Sequence, residues 1–329
     1  MSAYQRPASV AEAVAILRDT PGAIVLAGGT DLVIDRRLGR VDPDAPLVDV
    51  SAIDELAGVR WDGDVLHVGA ATAISDIERD PGIISRAPAL SEAARVLGSV
   101  QIRNMATLGG NLCNASPAAD MTPPLLAHDA VVVVYGPDGV REQAVISLFT
   151  GPRGTSLAAG ELVVGTRLRI PARSGSCYVR QTVRWAMDLA GVGAAAWVLA
   201  GGAGSDAPIE AARVALGAVA PTAVLVPGVD HLLVGHPLSA ERLAAVREAA
   251  SAACAPISDV RGTAEYRRHV AGVLAARALS IAHARATGVW PGGPAPVNGR
   301  ISSAGVGQHR AHRGQRDTTD ASARPGTLA

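Results

Sequence analysis

The sequence contains no lysine, so all 30 of its basic residues are arginines. A P-loop needs a lysine that reaches the nucleotide phosphates, and a pyridoxal-phosphate enzyme needs a lysine that forms the Schiff base. Both classes are therefore excluded. Any group that binds phosphate in this chain must be an arginine side chain or a backbone N–H.

Cysteine is almost as scarce. The three cysteines, Cys113, Cys177 and Cys254, lie far apart, with no Cys-x-x-Cys and no Cys/His cluster at the spacing of metal ligands. A disulfide framework, a structural zinc site and an iron–sulfur cluster bound by this chain alone are not expected. We predict no metal site in this chain.

Aromatic residues make up 3% of the chain, and no apolar run approaches the roughly 20 residues of a membrane span. The formal net charge is zero, so no bulk field favours nucleic acid or anionic membranes. The beginning of the sequence, "MSAYQRPASVAEAV", lacks the charged and then apolar pattern of a signal peptide. These features predict a cytoplasmic protein with no membrane span and no nucleic-acid partner.

Strand and helix signals alternate over the first half of the chain, which predicts an α+β fold. The first domain should span residues 1–172, with subdomains of about 1–57 and 58–172. A "PARSG" break then precedes a second domain over 173–290, which has three strands of an antiparallel sheet followed by two helices. The remainder, 291–329, is rich in Gly, Pro, Ser and Arg and is predicted to be a disordered tail.

Two loops combine paired glycines with small polar residues. The first is "LAGGTDL", 26–32, in which a strand ends at Gly28-Gly29 and Thr30 begins a helix. Glycines permit positive φ, successive backbone N–H groups can form a nest for phosphate, and the helix dipole adds to it. The spacing is not the G-x-G-x-x-G of a Rossmann fold. A plain glycine turn remains the alternative for this loop taken alone.

The second loop is "ATLGGNLCNASPAAD", 106–120. A dinucleotide offers a pyrophosphate that needs donors and hydroxyls that need acceptors, so two such loops could clamp one extended ligand. Asp120 suits a sugar-type hydroxyl and would repel phosphate, whereas we interpret Cys113 as a small packed side chain. The polar and glycine positions of this loop are Gly109, Gly110, Asn111, Asn114, Ser116 and Asp120.

Four motifs, "AGGTDL", "QIRNMATLGGNLCNASPAAD", "LFTGPRGTSLAAGELVVGTRLRIP" and "RWAMDLAGVGAAA", occur in this order. In order and spacing the chain resembles, over about 1–290, the FAD-binding medium subunit of the xanthine dehydrogenase/CO dehydrogenase family of molybdenum hydroxylases. The resemblance implies an FAD-binding domain of the PCMH/vanillyl-alcohol-oxidase-like type, made of two α+β subdomains. It also implies a CO dehydrogenase flavoprotein C-terminal-like domain, with a three-stranded antiparallel sheet and helices.

The resemblance also implies contacts with FAD, position by position. The first loop should wrap the pyrophosphate, and Asp120 should bond the ribityl or phosphate-proximal hydroxyls. Leu162 or Val163 should pack against the isoalloxazine, and Arg180 stands where some relatives have a lysine near the flavin. The implied FAD-binding positions are Leu26, Ala27, Gly28, Gly29, Thr30, Asp31, Leu32, Ala106, Thr107, Gly109, Gly110, Asn111, Asn114, Asp120, Leu162 and Arg180.

The function implied is that of an electron-transfer subunit with no catalytic side chain of its own. A small subunit with two [2Fe–2S] clusters would deliver electrons to the FAD, and a large subunit would carry molybdopterin, in a dimer of heterotrimers. The substrate and the acceptor (NAD, quinone, a cytochrome or oxygen) stay open.

Two alternatives remain for the function. One is a self-sufficient FAD-dependent oxidase or reductase of the same flavin fold. The absence of histidine from both loops and the low aromatic content argue against it. The other is a scaffold subunit that has lost FAD, against which the intact glycines and Asp120 argue.

Overall fold

The computed structural model describes residues 4–184, 186–293 and 295. The chain begins with a small parallel sheet of strand order β1-β3-β2. Its first helix begins after Ser9, whose hydroxyl accepts a hydrogen bond from the Glu12 N–H (3.2 Å) and so caps the helix. The elements are β1 (Tyr4–Gln5), α1 (Val10–Asp19), β2 (Ile24–Leu26), α2 (Leu32–Arg37) and β3 (Leu47–Asp49).

An antiparallel sheet of order β4-β5-β10-β6-β7 follows, with short helices and one small hairpin inserted between its strands. Its strands are β4 (Val59–Asp62), β5 (Val65–Gly69), β6 (Val131–Gly136), β7 (Gly139–Ala144) and β10 (Leu162–Arg169), and the hairpin is β8 (Phe149–Gly151) with β9 (Gly154–Thr155). The helices are α3 (Ile74–Arg79), α4 (Pro81–Arg86), α5 (Pro88–Val96), α6 (Val100–Arg103), α7 (Leu108–Cys113) and α8 (Thr122–Ala127).

The last sheet is antiparallel and has the order β11-β12-β13-β14. The sequence predicts its three long strands but not β14, which pairs with β13 over only two residues, too few for a periodic pattern. Of the helices in the described residues, none is long and apolar enough to cross a bilayer. The elements are β11 (Ser174–Gln181), β12 (Val192–Ala200), β13 (Ile209–Gly217), β14 (Val224–Leu225), α9 (Val229–Leu233), α10 (Ala240–Ala252) and α11 (Ala264–Ala286).

The last sheet is covered on both faces. Side chains such as Cys177 and Val179 pack in a core shared with α10 and α11, whereas the alternate residue Tyr178 and Trp197 face the core that contains α5 and α8. Because strand side chains alternate between faces, β11 and β12 join the two cores into one packed body. The predicted domain boundaries near residues 57, 172 and 290 stay predictions.

Glu92 on α5 links three distant segments from a buried position. Its carboxylate accepts hydrogen bonds from the N–H of Tyr178 (2.9 Å), the guanidinium of Arg285 (2.6 Å) and the N–H of Ala295 (2.9 Å). Ala295 is itself buried. Ala295 lies within the predicted disordered tail, 291–329, and its N–H is held by this buried carboxylate, whereas disorder of the tail stays a prediction. The residues after 295 lie outside the described part.

His128, which follows α8, is buried beside Trp197 with no hydrogen-bond partner on either ring nitrogen among the described residues. Burial, aided by the positive charge of Arg213, lowers the pKa of His128 from 6.5 to about 3. Below pH 6.5 the unfolded chain therefore binds a proton that the folded chain rejects, so stability should fall as the pH drops towards 3.

We expect this histidine to lower the free energy of unfolding by about 2 kcal/mol between pH 7 and pH 5. Denaturant unfolding at both pH values measures the loss, and the variant His128→Leu should lack that part of it. The variant His231→Leu, at an exposed position, is the control for the substitution itself. Equal pH dependence in wild type and His128→Leu would contradict the assignment.

Candidate functional site

The two glycine loops meet at a cavity of about 420 Å³. They touch at Gly28, where an added Cβ would lie 1.9 Å from the Met105 carbonyl oxygen and 3.0 Å from the Cα of Ala106. Only a residue without a Cβ allows this approach of backbone to backbone. The structure thus brings together two segments that are almost 80 residues apart in sequence.

The first loop presents unused backbone donors to the cavity. None of the N–H groups of residues 27–32 donates to a protein acceptor in the described part of the chain, although all six residues line the cavity wall. Gly29 has a φ of +68°, which orients the loop as it enters α2. Consecutive free N–H groups at a concave wall suit an anionic ligand.

The second loop differs from the first, because its backbone donors are already used. The N–H of Leu108 donates to Thr72 (3.1 Å) and that of Gly109 to Ala70 (2.8 Å), both at carbonyl oxygens. The N–H of Gly110 donates to the Thr107 hydroxyl (3.1 Å), which caps α7. The N–H groups of Leu108, Gly109 and Gly110 are therefore bonded within the protein, and this part of "TLGGN" has no free backbone donors.

What the second loop offers instead is side chains and space. The Oδ1 atom of Asn111 is buried at the cavity wall and has no hydrogen-bond partner among the described residues. Gly110 also lines the wall, and a Cβ added there would meet only the Thr107 hydroxyl, at 3.0 Å. An unpaired buried acceptor is costly unless a ligand donates to it. The site therefore fits a ligand with both an anionic part and hydrogen-bond donors, as FAD has.

Most of the predicted positions lie at this one cavity, where their role as FAD contacts stays a prediction. Val163, the alternative to Leu162, also lines it. Leu26, Asp120 and Arg180 are not among the described lining residues. The predicted positions at the wall are Ala27, Gly28, Gly29, Thr30, Asp31, Leu32, Ala106, Thr107, Gly109, Gly110, Asn111, Asn114 and Leu162.

Asp120 and Arg180 instead form a buried pair with each other. One carboxylate oxygen of Asp120 accepts from the Arg180 guanidinium (2.9 Å) and the other from the Tyr178 hydroxyl (2.7 Å). Burial raises the pKa of Asp120, and Arg180 opposes that rise. With both oxygens engaged, Asp120 is at odds with the expected contact to ligand hydroxyls, because β11 supplies its partners.

Sequence reasoning missed several residues of the cavity wall, Arg153 and Asp35 among them, and it misjudged Cys113. Arg153 and Asp35 line the wall and form an ion pair (2.6 Å) across 118 positions of sequence. Cys113 is exposed at the wall, and is not packed as expected, because it ends the short helix α7 on the cavity side. For Arg153 the signal was present, since it lies within the "LFTGPRGTSL" motif.

The carboxylates at the wall are not equivalent. Burial first, and then the nearby Asp35, raise the pKa of Asp31, which Arg153 opposes. The hydrogen bond from Arg153 lowers the pKa of Asp35, which also accepts from Arg40 (3.1 Å). Asp35 is therefore held ionised between two arginines, next to the loop that carries the free donors.

Two family descriptions match nearly the whole described chain. "FAD binding domain in molybdopterin dehydrogenase" matches residues 1–173, and "CO dehydrogenase flavoprotein C-terminal domain" matches residues 177–282. The first covers both glycine loops and the cavity. The second covers most of the last sheet and its helices.

Among curated relatives, the xanthine dehydrogenase FAD-binding subunit of Escherichia coli O157:H7 is 33% identical over 290 residues, covering 87% of this chain and 98% of the relative. The carbon monoxide dehydrogenase medium chain of Hydrogenophaga pseudoflava is 34% identical over 287 residues, covering 86% and 97%. A solved structure of carbon monoxide dehydrogenase from Hydrogenophaga pseudoflava matches with a TM-score of 0.81 over 86% of this chain and 98% of that one. The chain therefore belongs to the FAD-binding medium subunits of the xanthine dehydrogenase/CO dehydrogenase family.

Proposed function

We propose that this chain is the FAD-containing electron-transfer subunit of a heterotrimeric molybdenum hydroxylase. Electrons would reach the FAD from the [2Fe–2S] clusters of a small subunit and leave to an external acceptor. A large subunit with molybdopterin would carry out the substrate chemistry. The proposal includes a dimer of such heterotrimers and a cytoplasmic location.

The observation that supports the proposal most is the cavity between the two glycine loops. It combines the unpaired N–H groups of residues 27–32, the buried acceptor of Asn111 and the apolar side chains of Leu162 and Val163. FAD supplies the redox chemistry when bound, and the residues here bind and orient it. We assign the N–H groups of the first loop to the pyrophosphate and the apolar wall to the isoalloxazine.

Purification of this chain alone, and together with the small and large subunits, tests the proposal. The isolated chain should be yellow, with flavin absorbance, and should show no turnover until both partner subunits are present. Substrate-driven bleaching of the isolated chain would instead show a self-sufficient oxidase or reductase. A colourless chain that cannot be reconstituted with FAD would favour a scaffold that has lost the cofactor.

The variant Gly110→Val should abolish FAD retention, because its branched side chain would fill space at the wall where only the Thr107 hydroxyl lies within 4 Å of an added Cβ. The free energy of unfolding should change by less than about 1 kcal/mol, since valine is tolerated in a helix better than glycine. The flavin-to-protein absorbance ratio and the melting temperature measure the two effects. Stoichiometric FAD in this variant would show that the loop is assigned wrongly.

A further inference from the structure

Arg153 occupies a backbone position that normally favours glycine. It follows Pro152 in the two-residue turn between β8 and β9, with a φ of +59°. A turn with proline followed by a residue of positive φ usually has glycine or asparagine at the second of these positions. A larger residue is strained there, and such strain is often retained at binding sites.

The same residue is tied to α2, which follows the first glycine loop, and to the second glycine loop itself. Its side chain donates to Asp35 on α2 (2.6 Å), and its backbone N–H donates to the carbonyl oxygen of Ala115, just after α7 (2.9 Å). The other guanidinium N–H groups make no hydrogen bond within the described residues. Arg153 is therefore fixed at the cavity with donors still unused.

The charges around the cavity make Arg153 distinctive. It is the one basic side chain among the described residues that line the wall, where three carboxylates also lie. Glu161 is paired with Arg141 (2.6 Å), and Asp35 is shared between Arg153 and Arg40. Asp31 has its pKa raised, chiefly by burial. Arg153 is therefore the side chain at this wall that could neutralise the negative charge of a diphosphate.

We propose that Arg153 binds the diphosphate of FAD, and that Asp35 positions its guanidinium for that contact. The proposal rests on the assignment of FAD to this cavity. The second loop spends the N–H groups of Leu108, Gly109 and Gly110 within the protein, so the diphosphate needs another donor opposite the first loop. A guanidinium, which can donate two parallel hydrogen bonds to phosphate, meets that need.

The test measures FAD binding to the full chain after the flavin has been removed, by flavin fluorescence over a range of NaCl concentrations. Arg153→Gln should weaken binding about 10- to 100-fold and flatten its salt dependence, and Arg153→Lys should restore part of both. Arg153→Gly should weaken binding equally without lowering the melting temperature, because glycine relieves the positive φ. Asp35→Asn should weaken binding less than Arg153→Gln does.

A matched control is Arg173, which also has a φ of +59° in an exposed turn but does not line this cavity. Arg173→Gln should bind FAD as the wild type does. Wild-type affinity and salt dependence in Arg153→Gln would overturn the proposal, and so would weaker binding with an unchanged salt dependence. A wild-type chain that binds no FAD would instead overturn the proposed function, so the two failures are distinguishable.

Discussion

Replacing Gly28 with alanine should both expel FAD and destabilise the fold. The added Cβ would overlap the Met105 carbonyl oxygen, at 1.9 Å, and backbone cannot rotate away as a side chain can. Forcing the loops apart should lower the free energy of unfolding by about 1–3 kcal/mol. It should also weaken FAD binding roughly 100-fold, a loss of about 2.7 kcal/mol, since both walls of the cavity move.

Denaturant unfolding and a flavin titration measure the two losses. Gly202→Ala is the matched control, because a Cβ there would make only an ordinary contact of 3.7 Å with Ala207. Gly110→Val should separate the effects, losing FAD while keeping stability. A Gly28→Ala chain with wild-type stability and FAD content would mean that the two loops do not touch as described.

Replacing Asp120 with alanine should cost about 3–5 kcal/mol of stability, because it leaves the Arg180 guanidinium buried without its partner. The Arg180 side chain is only 1% exposed, so water cannot replace the lost carboxylate. Urea unfolding measures the loss. The double variant Asp120→Ala/Arg180→Leu should recover most of it, since no unpaired charge is then left inside.

The pair between Asp64 and Arg169 provides the comparison, with a similar distance of 2.7 Å but side-chain exposures of 40% and 75%. Asp64→Ala should change stability by less than about 1 kcal/mol. If Asp120→Ala kept full stability and lost FAD, the carboxylate would contact the flavin's hydroxyls, as the sequence resemblance implies. If Asp120→Ala instead lost stability, Asp120 would be a structural link between the segment that leads into α8 and β11.

The sequence predicts the cavity well where local chemistry decides the structure. The Gly28-Gly29 turn follows from residue types and spacing within a few positions. The regular strands follow for the same reason, since alternating apolar residues need no knowledge of their partners. Both glycine loops could therefore be identified as one site before any fold was known.

Long-range pairing could not be predicted in the same way. Nothing near Asp120 indicates that Arg180 will take its carboxylate, and nothing near Asp35 indicates Arg153. The use of backbone N–H groups in the second loop depends on Ala70 and Thr72, which reach it only through the sheet. The sequence thus identifies which segments form the cavity, whereas tertiary contacts decide which of their groups remain free.

Glu92 has a practical consequence for shortened versions of this chain. An end chosen at residue 282, where the second family match stops, would cut α11 within its last turn. An end at residue 290 would keep α11 but remove the Ala295 N–H that Glu92 holds, and the Gly293 carbonyl that accepts from the Trp290 indole (3.0 Å). The smallest fragment that keeps every contact of that carboxylate therefore ends no earlier than residue 295.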